Sequence, residues 1–266
     1  MIHPAAVIHS RAEVDSSAII GPYAVVDAEV VIGPGCEIGP HVYITGHTMI
    51  GANNRFHAGC VIGDAPQDLK YKGQPTVLQI GAHNIFREHV TIHRSNQVEE
   101  GTLIGNHNFF MANSHVGHNT RVGDNVIIAN GALLGGHVIV EDRVFISGNC
   151  LVHQFVRIGT LALMQGGAAV SKDLPPFTVA RGDNTICGLN TIGLRRAGIS
   201  PAKRLELKSL YHQLFLRGLN LRATLAEARG KFTGKFATQL ISFIEASKRG
   251  VCHSRFKAET ERDQAL

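Results

Sequence analysis

The chain has 266 residues, 44% of them hydrophobic and 18% charged, with 29 glycines and no tryptophan. That balance belongs to a folded globular chain and excludes an intrinsically disordered one. The net charge of +5 is unevenly spread: residues 1–189 hold 11 Lys/Arg against 15 Asp/Glu, whereas residues 190–266 hold 15 against 6. A basic C-terminal module of this kind points to an acidic partner, such as nucleic acid, an acidic carrier protein or a phosphate-bearing ligand.

The start, Met1-Ile2-His3-Pro4-Ala5, has no basic stretch leading into an apolar core, so no secretory signal is expected. No run of 18 apolar residues appears anywhere, so no membrane span is expected, and the cytoplasm is the expected location. From Ile2 a six-residue beat sets in. Every sixth position through Val170 is apolar in 27 of 29 places, the exceptions being Asp68 and Gln74. Neither a helix nor a simple strand produces that period. It predicts an all-β parallel β-helix of short strands over residues 1–185, three hexads to a coil. The beat residue points inward, a small residue two places before it lets the corner close, and the glycine that often follows takes a turn. Cys36, Cys60 and Cys150 share the small position and read as buried hydrophobes rather than disulfide partners.

The beat lapses twice. Residues 64–77 are polar, with Pro66 and Pro75, and must loop out while keeping whole-hexad register. Residues 95–101 form a shorter excursion, in which Val98 matches the register by accident. Asp173-Leu174-Pro175-Pro176-Phe177 reads as a linker. Residues 190–266 form a small basic α-helical domain. Ser200-Pro201 opens its first helix, Leu205, Leu207, Leu210, Leu214 and Leu216 supply an apolar face, and Gly218 ends it. Two more helices are expected at about 221–230 and 235–248, followed by a frayed last dozen residues.

Chemistry-bearing residues interrupt the beat. His115 and His118 lie between Phe110, Val116 and Val122, and His137 and His153 follow. A bare structural solenoid needs neither that histidine series nor a polar loop at mid-length. A zinc hydratase on a similar coil carries two histidines five residues apart, and none of the 15 histidines here has such a partner. No metal or cofactor is expected.

In order along the chain come Gln67-Asp68-Leu69-Lys70-Tyr71, Thr91-Ile92-His93-Arg94, His115-Val116-Gly117-His118, Gly135-Gly136-His137, Val152-His153-Gln154-Phe155, Asp173-Leu174-Pro175-Pro176 and Gly188-Leu189-Asn190-x-x-Gly193-Leu194-Arg195-Arg196. Over nearly the whole chain this series resembles the acyltransferase family that moves a (3R)-hydroxyacyl group from acyl carrier protein to the 3-hydroxyl of UDP-N-acetylglucosamine, the first step of lipid A synthesis. The resemblance implies a left-handed coil and a homotrimer with no nucleic-acid partner. It also implies His118 as general base and the Gly136 N–H as oxyanion donor. Gln67, Asp68, Lys70, His115, His137, His153 and Gln154 would hold substrate, Asn190 and Arg196 the nucleotide end, and Gly166 would set acyl-chain length. An imidazole, with its ordinary pKa near neutrality, suits proton removal from a sugar hydroxyl. Three positions depart from the family pattern. The aspartate that usually follows the base is Asn119, an acidic position after Asn190 is Ile192, and a third basic residue after the arginine pair is Ala197. The alternatives are a sister N-acyltransferase of an amino-sugar nucleotide, which normally carries an extra N-terminal domain, and a non-lipid hexapeptide acetyltransferase.

Overall fold

The computed structural model describes residues 1–217 and 220–254. Residues 1–170 wind into a left-handed parallel β-helix, a three-sided prism whose faces have nine, eight and eight strands, the last being part of an eleven-stranded sheet that continues beyond the prism. Strands stack in register 18 residues apart, as in Val7 opposite Val25 and Leu133 opposite Leu151. The spacing widens to 30 residues between Val61 and Thr91 and to 24 between Thr91 and His115. Those increments of two hexads and one are the two excursions, so the inward set never changes face.

The beat residues fill the prism. From Ile20 to Val170 all are buried except within the excursions, and Val98 is 53% exposed. Phe56, Phe86 and Phe110 stack at centroid distances of 4.5 and 4.8 Å at the level where the excursions leave. Cys36, Cys60 and Cys150 are free and buried at corners, with burial pushing the Cys60 thiol up to about 12.

The corner geometry differs from the sequence expectation in one respect. The left-handed turn falls three residues after the beat, at Asn53, His83, Asn119, His137 and Phe155 among others. Of the eleven glycines directly after a beat residue, only Gly63 has positive φ. The others are small because the next coil lies against them: a Cβ on Gly117 would stand 2.8 Å from Gly135 C and Gly136 N. The requirement is close coil-to-coil approach, not backbone freedom.

The expected linker is also corrected. Asp173 through Thr178 are all buried, and Leu174 bridges to Ile158 as the last corner. The Asp173 carboxylate accepts from the Arg157 backbone N–H at 2.9 Å, which is how a charge is held at the prism's end. The eleven-stranded sheet then runs on through Thr178–Ala180, antiparallel Thr185–Leu189 and returning His253–Ser254, beyond the expected boundary at 185.

Four helices follow: α1 (Thr191–Arg196), α2 (Pro201–Phe215), α3 (Leu221–Lys231) and α4 (Lys235–Glu245). The short α1 was not foreseen, and α4 stops earlier than expected. Ser200 occupies the N-cap of α2, with Pro201 next, but its hydroxyl makes no capping bond. Leu207, Leu210 and Leu214 are buried as expected, whereas Leu205 and Leu216 are exposed, because at 100° per residue both fall off that face. The helices rest on the last coils: Arg157 donates to Phe243 O at 2.9 Å and lies over its ring, and Gln239 donates to Thr160 Oγ1 at 3.0 Å. Gly218 and the last dozen residues lie outside the described residues. Among the described residues no helix is long and apolar enough to cross a membrane.

Candidate active site

Both excursions leave the prism at the corner that follows the nine-stranded sheet. One coil further on, the same corner carries His118 and Asn119. The three left-handed turn residues Asn119, His137 and Phe155 sit above one another in successive coils, with φ of 59°, 58° and 66°. His137 stacks on Phe155 at 4.5 Å and meets the His118 ring edge-on at 5.2 Å.

His118 is oriented by its neighbour. Its Nδ1 lies 2.8 Å from Asn119 Oδ1. Asn119 is 4% exposed, and its amide has a single sensible orientation. Oδ1 receives the Asn96 backbone N–H at 3.0 Å, while Nδ2 faces Ser95 Oγ at 2.8 Å and Glu100 Oε2 at 3.3 Å. The Ser95 hydroxyl proton is already directed at Gln97 O at 2.9 Å. Oδ1 is therefore an acceptor and His118 Nδ1 a donor, which leaves Nε2 with a free lone pair. That nitrogen is at Gly136: a Cβ built there would stand 2.7 Å from His118 Cε1 and Nε2. Only glycine lets the ring lie where it does.

The Gly136 N–H has no acceptor among the described residues. Two residues after the beat, other corners carry Pro22, Pro34 and Pro40, so the coil's backbone ladder does not depend on that N–H. It stays available to an incoming oxygen.

The cleft here encloses about 720 Å³ and is lined by Gln67, His93, His115, His118, Gly136, His153 and Gln154, with Leu133, Leu151 and Ala169 forming an apolar floor. Burial drives the His115 pKa down to about 4, with the neighbouring His93 and His118 adding to the shift, so His115 is neutral at ordinary pH. Its Nδ1 is 2.7 Å from Thr91 Oγ1. Burial also lowers His93 and His137. Asp68 is held below the usual carboxylate range, first by the Lys70 N–H and then by the Asn96 side chain, which donates at 2.7 Å. That bond ties one excursion to the other. His153 lies on the rim, 3.4 Å from Arg249 Nη2.

Other expected site residues lie elsewhere in the chain. Lys70 projects from the first excursion into solvent. Asn190 caps α1: Oδ1 accepts from Gly193 N and Nδ2 donates to Leu161 O, both at 2.9 Å, so its amide is engaged within the fold. Arg196 ends α1 and is exposed. Gly166 lies at the opposite edge of the nine-stranded sheet, where a Cβ would meet only Gly148 O at 3.6 Å. The neighbouring Gly167, with φ +71°, takes the turn. Sequence reasoning missed Ser95, Asn96 and Glu100, which fix Asn119 from an excursion read only as a loop.

Comparison with known proteins gives the family of the fold. Residues 29–64 and 101–136 match the bacterial transferase hexapeptide model, and residues 173–252 match domain 2 of the UDP-N-acetylglucosamine O-acyltransferase model. The prism of hexads and its histidine-lined cleft define an acyltransferase of the hexapeptide-repeat class. A Janthinobacterium sp. (strain Marseille) protein named acyl-[acyl-carrier-protein]–UDP-N-acetylglucosamine O-acyltransferase is 45% identical over 258 residues, covering 94% of this chain and 98% of its own. The solved UDP-N-acetylglucosamine acyltransferase of Francisella novicida superposes with a TM-score of 0.92 at 36% identity, covering 97% of this chain and 96% of its own. The Acinetobacter baumannii structure gives 0.91 at 36%, covering 95% and 99%. The chain belongs to the acyl-[acyl-carrier-protein]–UDP-N-acetylglucosamine O-acyltransferase family.

Proposed function

We propose that this chain moves a (3R)-hydroxyacyl group from acyl carrier protein to the 3-hydroxyl of UDP-N-acetylglucosamine, with His118 as general base. The observation that carries the reading is the committed Nδ1–H of His118, which leaves Nε2 bare at the cleft beside the unused Gly136 N–H. Nε2 takes the hydroxyl proton as the sugar oxygen attacks the thioester carbon. The Gly136 N–H stabilises the resulting oxyanion. The C–S bond then breaks, and the imidazolium returns its proton to the departing thiolate. A thioester is already activated, so no protein nucleophile is needed. Gln67, Asp68, Lys70, His115, His137, His153 and Gln154 hold the acceptor. Acyl transfer of this kind is the opening step of lipid A synthesis.

The cleft of one chain has a floor and one wall. Leu69 on the first excursion is 100% exposed, and Leu133 and Leu151 beside the site are 43% and 50% exposed. A homotrimer with cyclic symmetry supplies the missing wall. Arg196 then serves a neighbouring subunit's nucleotide end, where a guanidinium suits a phosphate. The acyl tail follows the apolar floor toward Gly166, three strand spacings from the His115 strand, or about 14 Å.

His118→Ala should lower kcat by roughly 10²–10⁴-fold with the melting temperature unchanged. A variant within a few-fold of wild type removes His118 as base. The 3-amino analogue of the sugar nucleotide, run as a rival acceptor, decides between O- and N-transfer.

A further inference from the structure

His118 has a neutral partner in Asn119, and an amide brings no charge to an imidazolium. The charge is one hydrogen bond further on. Glu100 Oε2 lies 3.3 Å from Asn119 Nδ2 and 3.9 Å from His137 Nδ1. Glu100, Asn119 and His118 thus form a line in which each group donates to the one before it. We propose that Glu100 is a positioning residue for the His118 base: its carboxylate, acting through the Asn119 amide, supplies the negative charge that an aspartate beside the base would supply directly.

Glu100 acts by polarisation. A carboxylate on the NH₂ end of an amide draws that end's protons and makes the carbonyl a better acceptor. The Asn119 carbonyl therefore holds the Nδ1–H more firmly as Nε2 gains the sugar's proton. No proton moves to Glu100. The imidazoles of His93, His115 and His137, which also face His118, do not stabilise an added positive charge. Asp68, on the first excursion, is the other carboxylate that faces His118; its bonds from the Lys70 N–H and Asn96 keep it ionised, and it acts through space, whereas Glu100 acts along the Nδ1–H bond. The Glu100 side chain is 45% exposed, so water screens it and the effect is moderate. Ser95 and Asn96 already anchor the second excursion to Asn119 without Glu100.

The proposal rests on His118 being the base. The rival is that Glu100 merely braces the loop. Moving the charge distinguishes them. In Glu100→Gln/Asn119→Asp the carboxylate sits directly on His118 Nδ1 and the Gln amide donates back to it, so the hydrogen bond between the two positions survives with its polarity reversed. Turnover of hydroxyacyl carrier protein with UDP-N-acetylglucosamine is measured for wild type, Glu100→Gln, the double variant and His118→Ala, with melting temperatures alongside. Glu100→Gln should lose about fivefold in kcat, with KM for the sugar nucleotide within about twofold of wild type. The double variant should recover to within about twofold of wild-type kcat. A Glu100→Gln enzyme with wild-type kcat overturns the proposal. So does a double variant no faster than Glu100→Gln. An active His118→Ala enzyme overturns the base itself and this inference with it, whereas an inactive His118→Ala beside an unaffected Glu100→Gln removes Glu100 alone.

Discussion

The two edges of the nine-stranded sheet use glycine for opposite reasons. At the His118 edge, a Cβ on Gly136 would collide with the His118 ring at 2.7 Å. At the other edge, a Cβ on Gly166 would meet one carbonyl oxygen at 3.6 Å, an ordinary contact. The first edge is crowded and cross-linked: two excursions, Asn119 and three imidazoles fix one another. The second is bare, and nothing in the chain's own fold requires glycine at 166. A glycine that the fold needs reports on packing. A glycine that the fold does not need is free to serve something outside the chain, which under the proposed function is an acyl tail.

The sharpest way to break this contrast is at the crowded edge. Gly136→Ala should push the His118 ring off its bond to Asn119 and lower kcat by about 10²-fold, the scale of a catalytic group displaced by about 1 Å. Its melting temperature should stay near wild type, because the ring can swing toward the cleft. Gly135→Ala is the control, since its Cβ meets the Gln154 backbone N at 2.8 Å and only the coil itself can yield. That variant should lose thermal stability first. If the two variants exchange phenotypes, the assignment of Gly136 to the site is wrong.

At the open edge, Gly166→Met should fold normally and shift chain preference. Two excluded methylenes at about 0.8 kcal/mol each amount to roughly tenfold in discrimination. The measurement is a competition between carrier proteins bearing acyl chains of graded length. An unchanged preference would end the measuring role, and an equal loss on every chain would return Gly166 to a corner.

How much of this was legible in the sequence follows the same division. The prism was readable because its rule is local: one inward residue in six, repeated until chance is excluded. The excursions were readable as whole-hexad insertions. The role of the glycines was misassigned because it depends on the coil 18 residues away, which a one-dimensional pattern does not show. Asp173–Phe177 looked like a linker because prolines punctuate it, yet the same prolines pack as the prism's last corner. Leu205 and Leu216 looked like core because they are leucines, although their helical phase puts them elsewhere. The histidine series was visible as composition and order. An Asn119 carbonyl able to accept from the His118 ring was visible too; the bonds that orient that amide, and so fix the tautomer, were not, because Ser95, Asn96 and Glu100 reach Asn119 across a loop with no period of its own.

The smallest expected effect is in stability, and it belongs to the crowded edge alone. His115 has its pKa driven down to about 4 by burial, against about 6.5 in an unfolded chain. Between those values the unfolded chain binds a proton that the folded chain refuses. Stability attributable to His115 is therefore intact above pH 6.5, falls as pH drops toward 4, and changes no further below that. The ring is not fully enclosed, so screening reduces the full linkage value to about 1 kcal/mol by pH 5. For a chain of this length that corresponds to about 2–4 °C in melting temperature. His93 and His137, lowered in the same direction, add to the wild-type slope but not to the difference on removing His115. His115→Gln keeps a polar group within reach of Thr91 and cannot titrate. Its melting temperature should drop less than that of wild type between pH 7 and pH 5, by about that margin. Parallel curves would mean that His115 is solvated in solution, and that the edge is more open than its glycine and its three imidazoles imply.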